Sequence, residues 1–284
     1  MRKIKAAAVW MLRVIGLLLL AGSLYWLIGW LSEPGTAVEP MEIIFIGTED
    51  DADCTLLINR DKTVMIDTGE AQDYEAISQT LKAYGISRID CLILTHPDKD
   101  HIGNALEILK NYSVSQVVEP YYDLENDRYE AVNDWIEAER VSCLIPTRER
   151  KLILGDMRLT VYPPEKFSYD NDNNYSLAVH VSHGNTQLFF AGDAMRKRTE
   201  ELLELSVENV DLYKMSYHGR GYDGAEALLE KMSPDIVVVT ARQAEPEVEE
   251  LLAGYQVYYT VNAGAWFVSD GEGLEEGDGL FFQP

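Results

Sequence analysis

The sequence predicts an α/β fold: a four-layer αββα sandwich of two mixed β-sheets with outer helices, preceded by one N-terminal transmembrane helix. Three observations lead there. Strand and helix signals alternate from residue 42 to the end, in two β-rich halves that each pick up helices. Sheets of that kind bury one face against each other and the other against helices. Apolar residues make up 46% of the 284, enough for a large core. An uncharged apolar run, residues 14–32, stands apart at the start.

That run reads VIGLLLLAGSLYWLIGWLS. As a helix it rises roughly 28 Å, close to the thickness of a bilayer's hydrocarbon. Arg2, Lys3, Lys5 and Arg13 precede it, and Glu33 is the first charge after it. The asymmetry predicts a single-pass plasma-membrane protein with a cytoplasmic N-terminus and an extracytoplasmic domain. Tyr25, Trp26 and Trp30 suit the outer interface. The rival is a cleaved signal peptide, with Ala21-Gly22-Ser23 as the small residues of a cut site. Length favours the uncleaved anchor; a mature N-terminus at Leu24 or beyond would contradict it.

The domain plan is thus 1–32 as cytoplasmic tip and anchor, 33–41 as a linker rich in Pro and Gly, and 42–284 as the functional domain. Within the last, residues 42–46, 54–59 and 63–66 read as strands, the latter two joined by an Arg60-Asp61-Lys62 turn. Ile77, Leu81 and Tyr84 share one face of a helix over 74–84, which Gly85 ends. Residues 91–94 form an apolar strand. Helices follow at 102–109 and 124–139, around a short strand at 117–118. Strands are predicted at 142–145, 151–154, 158–162, 176–181 and 187–191, with hairpin turns at Gly155-Asp156 and His183-Gly184-Asn185. Helices at 195–205, 223–232 and 247–253 then alternate with strands at 212–215, 236–239 and 257–260. Strands at 265–268 and 280–282 close the chain.

All 48 acidic residues lie beyond residue 32, against 20 basic ones there, a net −28. Such a surface repels polyanions at long range and lacks the basic footprint of a broad nucleic-acid grip. Cys54, Cys91 and Cys143 show no CxxC spacing, and the first two sit in strand-like apolar runs as small core residues. One disulfide is open to them outside the cell, but three cannot all pair.

The chemistry concentrates in Thr95-His96-Pro97-Asp98-Lys99-Asp100-His101, directly after the strand at 91–94. Four potential metal ligands fall within six residues, held at a rigid strand end. Neutral imidazoles bind borderline metals, and carboxylates add charge and suit harder ones. A polar loop whose Asp caps a helix from about Ile102 would explain one aspartate, not two aspartates and two histidines.

His-x-Asp-x-Asp-His after a strand resembles the metallo-β-lactamase superfamily. Asp98 in place of the second His resembles the branch found in the extracytoplasmic domain of the ComEC-type DNA-uptake proteins. Four further stretches match in order: the strand ending Asp67-Thr68-Gly69, the Asn-rich entry Asn173-Asn174-Tyr175-Ser176, Gly192-Asp193 after an apolar strand, and Ser216-Tyr217-His218-Gly219. The resemblance implies two divalent metal ions, zinc or manganese. Asp100, His101 and His218 would hold one, His96 and Asp98 the other, and Asp193 would bridge them. Asp67 would orient the ligand segment without ligating. Asn173, Asn174, Ser216 and Arg220 are the expected substrate contacts. Asp98 and Asp193 are the groups expected to orient an attacking water.

Departures from the family pattern are equally concrete. No third His stands near residues 173–176, Tyr217 replaces the first of two consecutive histidines, and Gly47-Thr48-Glu49-Asp50-Asp51 replaces an early Gly-Gln-Gly. A later His is absent, with Gln243 about there, and His180 and His183 read as structural or exposed. Two dications against three aspartates leave the site near one positive charge, harder than a His-rich zinc site, so tolerance for manganese follows. The ComEC-type resemblance implies phosphodiester hydrolysis by a metal-activated water, on nucleic acid or a small phosphoester. The alternatives are a hydrolase of lactones, β-lactams or phosphoesters, and a surface binding module that keeps the fold without catalysis.

Overall fold

The structure is a computed structural model and describes residues 38–277. The described residues begin with a meander of β1 (Met41–Phe45), β2 (Thr55–Asn59) and β3 (Lys62–Ile66), followed by helix α1 (Tyr74–Ala83). Then come β4 (Arg88–Ile89), β5 (Cys91–Ile93), α2 (Lys99–Ile102), α3 (Ala105–Asn111), β6 (Ser113–Val114), β7 (Gln116–Val118), α4 (Asp127–Glu139) and β8 (Ser142–Leu144). The second half runs through β9 (Arg150–Leu154), β10 (Met157–Tyr162), β11 (Ala178–His183), β12 (Thr186–Phe190), α5 (Arg196–Leu203), β13 (Leu212–Lys214) and α6 (Ala225–Met232). It ends with β14 (Ile236–Val239), α7 (Pro246–Leu251), β15 (Gln256–Tyr259), β16 (Ala265–Ser269) and β17 (Leu274–Glu276).

Strands β4 and β6 pair as a separate two-stranded sheet; of the two large sheets, one has the order β17-β16-β1-β2-β3-β5-β7-β8 and the other β15-β14-β13-β12-β11-β10-β9. Both are mixed: β3, β5, β7 and β8 run parallel, as do β12 to β15, whereas the hairpins pair antiparallel. Alternation along the strands builds three apolar layers. Phe45, Leu57, Ile66, Leu159, Val181 and Phe190 meet between the sheets. Leu56, Met65 and Leu92 point the other way, onto Ile77 and Leu81 of α1 and Ile108 of α3. Phe189, Tyr213 and Val237 likewise face Leu202, Leu228 and Val248 of α5, α6 and α7. Helices therefore cover the outside of both sheets, as the patterning predicts.

The differences are local. The predicted helix over 102–109 is two helices, broken at Gly103-Asn104, because the Asn104 side chain donates to the carbonyls of Thr68 (2.9 Å) and Glu70 (2.6 Å). The strand expected from 176 begins at Ala178, after a 3₁₀ turn over Asp172–Tyr175. Strand β17 was not anticipated, and the strand expected at 280–282 lies outside the described residues. So does the predicted transmembrane run at 14–32; among the described residues no helix is long and apolar enough to cross a membrane. Cys54 and Cys91 are buried and Cys143 is exposed, and all three are free thiols.

Candidate metal centre

Parallel strands of both sheets end at the same edge, where loops carry side chains into one cleft. From β3 the chain turns at Asp67, a non-glycine residue in the left-handed region at φ 59°. That turn aims its carboxylate across to the end of β5. It accepts from Thr95 N and Thr95 Oγ1, each at 2.7 Å, and pairs with His101 Nδ1 at 2.8 Å. Asp67 therefore orients His101 through the far side of the ring, in the manner of carboxylate–histidine–metal triads.

Asp100 and His101 lie in helix α2 rather than in an extended loop. The reason is Asp98: its carbonyl accepts from His101 N (3.0 Å) and Ile102 N (2.9 Å), starting the helix. Its side chain makes no cap hydrogen bond and remains one-third exposed at the cleft. On the other sheet, β12 leads through Gly192, whose φ of 56° requires the glycine, to buried Asp193. Strand β13 leads to a 3₁₀ turn over Ser216–Gly219, in which Tyr217 and His218 both have φ 51°. His218 Nδ1 meets Thr240 Oγ1 at 3.0 Å.

These elements converge four side chains. His101 Nε2 lies 3.3 Å from His218 Nε2 and 3.3 Å from Asp193 Oδ1. His218 Nε2 lies 3.0 Å from Asp193 Oδ2 and 3.3 Å from Asp100 Oδ2. A tetrahedral ion with bonds of about 2.0–2.1 Å needs ligand atoms roughly 3.3 Å apart, so the spacing fits a divalent metal. Asp193 Oδ1 is buried without a hydrogen bond, which a cation would satisfy.

His96 and Asp98 are arranged differently. His96 Nε2 is buried, has no hydrogen-bond partner, and lies 3.5 Å from Asp98 Oδ2. The His96 and His101 rings are 4.1 Å apart. Yet among the described residues no group of three close donors includes either His96 or Asp98. Where a third imidazole would be sought, Asn174 Oδ1 accepts from Arg198 N (3.1 Å) and Ser176 Oγ accepts from Asp193 N (3.0 Å). The two sets of donors are therefore unequal, one closed by four groups and one built on two.

Asp53 and Lys214 escaped the sequence reading. Both are buried, and Lys214 Nζ pairs with Asp53 Oδ2 and donates to Gly192 O at 3.2 Å. Asp53 lies behind both imidazoles, 3.4 Å from His218 Nδ1 and 3.8 Å from His101 Nδ1. The available signal was Lys214 itself, a charge inside a buried parallel strand, which has to be paired. Electrostatics follow this packing. Burial alone would push the Asp53 carboxyl up, but Lys214, His101 and His218 hold it below its usual value. Burial opposes a charged His218 too, yet Asp193, Asp100 and Asp53 raise it to about 9, and His101 goes up for the same reason. A site that attracts protons to two histidines attracts a metal cation in their place, and metal binding would release those protons.

The cleft above these groups has a volume of about 950 Å³. Asp98, Asp100, Asp193, Asn173 and Arg220 line it. Asn174 and Ser216 do not. Asn174 is engaged with Arg198 N, and Ser216 Oγ is bonded to the Tyr213 and Tyr222 hydroxyls. Arg220 is held by Asp51 at 3.2 Å and over the Tyr217 ring at 5.2 Å. His180 and His183 serve structure: His180 meets Gln187 at 2.8 Å, and buried His183 bridges Ser269 and the Glu39 carbonyl.

Residues 47–241 match the metallo-beta-lactamase superfamily, more than half of the chain. The chain belongs to that superfamily. It has the metallo-β-lactamase fold, with a His/Asp cluster suited to divalent metal. Among curated proteins it is similar to ComE operon protein 3 of Bacillus subtilis, 28% identical over 57% of this chain and 21% of that protein. It is also similar to Recombination protein 2 of Haemophilus influenzae, 24% identical over 68% of this chain and 23% of that one. The ComEC-type resemblance agrees with these two relatives, although the chain spans about a fifth of their length. Among solved structures, the metallo-β-lactamase-fold protein YhfI of Bacillus subtilis superposes with a TM-score of 0.54 at 13% identity, over 81% of this chain and 100% of that one. CmlA, a diiron β-hydroxylase from Streptomyces venezuelae, does so with a TM-score of 0.52 at 14% identity, over 80% of this chain and 53% of that one. These likenesses show the fold alone.

Proposed function

We propose that this superfamily member is a membrane-tethered, extracytoplasmic hydrolase of phosphodiester bonds. The observation that carries the reading is the convergence of His101 Nε2, His218 Nε2 and the Asp193 and Asp100 oxygens at 3.0–3.3 Å. Carboxylates supply half of that cluster, and Asp98 adds another beside it, which suits hard cations and phosphoryl oxygens. The ComEC-type resemblance and the uncharged run at 14–32 support the substrate class and the tether.

Asp100, His101, Asp193 and His218 would hold one ion, and His96 and Asp98 the other. When bound, divalent cations supply Lewis acidity toward the phosphoryl oxygens and lower the pKa of a water. The rest belongs to the chain. Asp98, free of a cap bond and open to the cleft, accepts the proton of the attacking water. Asp67 and Thr240 fix the two imidazoles with Nε2 toward the cluster. The net −28 beyond residue 32 favours short phosphodiesters over a long polyanion.

The test is the full chain purified in detergent without chelators. It would be assayed for bound metal and for turnover of bis-p-nitrophenyl phosphate, DNA and a lactone with manganese or zinc. The reading expects metal-dependent cleavage of the phosphodiester. Faster turnover of the lactone would instead favour a small-molecule hydrolase. Absence of both metal and turnover would favour a binding module.

A further inference from the structure

Eight carboxylates and three bases line the cleft. Two of the bases are neutralised in place: Lys99 by Glu70 at 2.7 Å and Arg220 by Asp51 at 3.2 Å. The third, Arg128, is exposed, and its guanidinium has no ion-pair or hydrogen-bond partner among the described residues. Asn173 lines the same cleft. Its residue is 7% exposed and its side-chain amide has no hydrogen-bond partner among the described residues, although it lines the opening. A nearly buried amide and an unpaired guanidinium on one cleft are two donors open to an acceptor.

Arg128 is tied to the metal-ligand segment. Asn126 accepts from Arg128 N and Tyr129 N, each at 3.1 Å, and so starts α4. The same Asn126 donates through Nδ2 to the carbonyl of Pro97, between His96 and Asp98, at 3.1 Å. On the other wall, Asn173 N donates to Asn171 Oδ1 at 2.9 Å, fixing the 3₁₀ turn. The walls are clamped together: Tyr175 donates to Asp123 and packs on the Tyr122 ring at 4.9 Å. The anion site is thus held in register with the metal cluster.

We infer that Arg128 and Asn173 form an anion subsite beside the metal centre, which takes one phosphate group next to the scissile diester. This rests on the phosphodiester reading and narrows it to short substrates carrying one neighbouring phosphate, about the size of a dinucleotide. Asp50 and Asp172, on the same cleft and without ion-pair partners among the described residues, oppose further phosphates. One free cation accommodates one extra anion; a polymer brings many.

Product-like ligands test it without turnover. The full chain, metal-loaded in detergent, is titrated calorimetrically with thymidine 3′,5′-bisphosphate and with thymidine 3′-monophosphate. The second phosphate should tighten binding about tenfold. Arg128→Gln should remove most of that gain, Arg128→Lys should keep part of it, and Asn173→Ala should reduce it. Arg150→Gln, on an exposed residue outside the cleft, should leave it unchanged. Elemental analysis of each protein checks that metal is retained. Equal affinity for the two ligands, or a full gain in Arg128→Gln, overturns the inference. Turnover of bis-p-nitrophenyl phosphate on the same samples separates the two ideas. If it is absent while an Arg128-dependent gain persists, the subsite stands and the phosphodiesterase reading falls.

Discussion

Replacing Glu119 with glutamine probes a buried carboxyl that the metal centre does not use. Glu119 follows β7 and is fully buried. Its Oε1 accepts from Cys143 Sγ at 3.5 Å. Burial raises its carboxyl from 4.5 to about 7, and the hydrogen bonds from Cys143 and Tyr129 offset only part of that. A group whose folded pKa lies above its unfolded one favours folding fully below the unfolded value. That advantage is lost as pH rises through the folded value. The window is therefore about pH 4.5 to 7, with stability falling as pH rises. Each tenfold change in proton affinity is about 1.4 kcal/mol, so the loss reaches at most about 3 kcal/mol. Glutamine has the same shape and no charge to desolvate. Denaturant unfolding at pH 5 and pH 8, followed by tryptophan fluorescence, measures it. The wild-type protein should lose up to about 3 kcal/mol more stability between those pH values than Glu119→Gln does. Equal losses in the two proteins would refute the reasoning, because every other titrating group is common to both.

Two further outcomes follow from the same geometry. Asp67→Asn keeps the shape of the turn but removes the negative partner of His101 Nδ1. Metal affinity should fall by about 10- to 100-fold with the fold intact, as equilibrium dialysis with manganese or zinc would read. At Gly103 an added Cβ would lie 2.6 Å from the Gly69 carbonyl oxygen and 2.7 Å from Glu70 Cα, both backbone. Gly103→Ala should therefore destabilise by about 2 kcal/mol or more, seen as a lowered Tm, and should loosen the ligand helix from the Asp67 turn.

Much of the architecture was legible because it depends on local pattern. Period-2 alternation in 157–162 and the i, i+4 spacing of Ile77 and Leu81 are properties of neighbouring residues. The break at Gly103-Asn104 was not legible, since it comes from Asn104 bonding to carbonyls more than thirty residues away. Nor was the engagement of Ser216 and Asn174, whose hydrogen-bonding groups neighbours from other elements take up.

The sequence by itself determined the ligand types, their order, and their place after apolar strands. Covalent spacing within His96 to His101 and the identity of Asp67, Asp193 and His218 need no fold to be read. Only the tertiary structure decided which donors meet. His101 and His218, 117 residues apart, come within 3.3 Å because parallel strands of the two sheets end at one edge. It also separated the four-donor set from the pair His96 and Asp98, and set Arg128 apart from Lys99 and Arg220. A residue's type is local information. Whether its charge is paired or its nitrogen faces a carboxylate depends on what the fold packs against it.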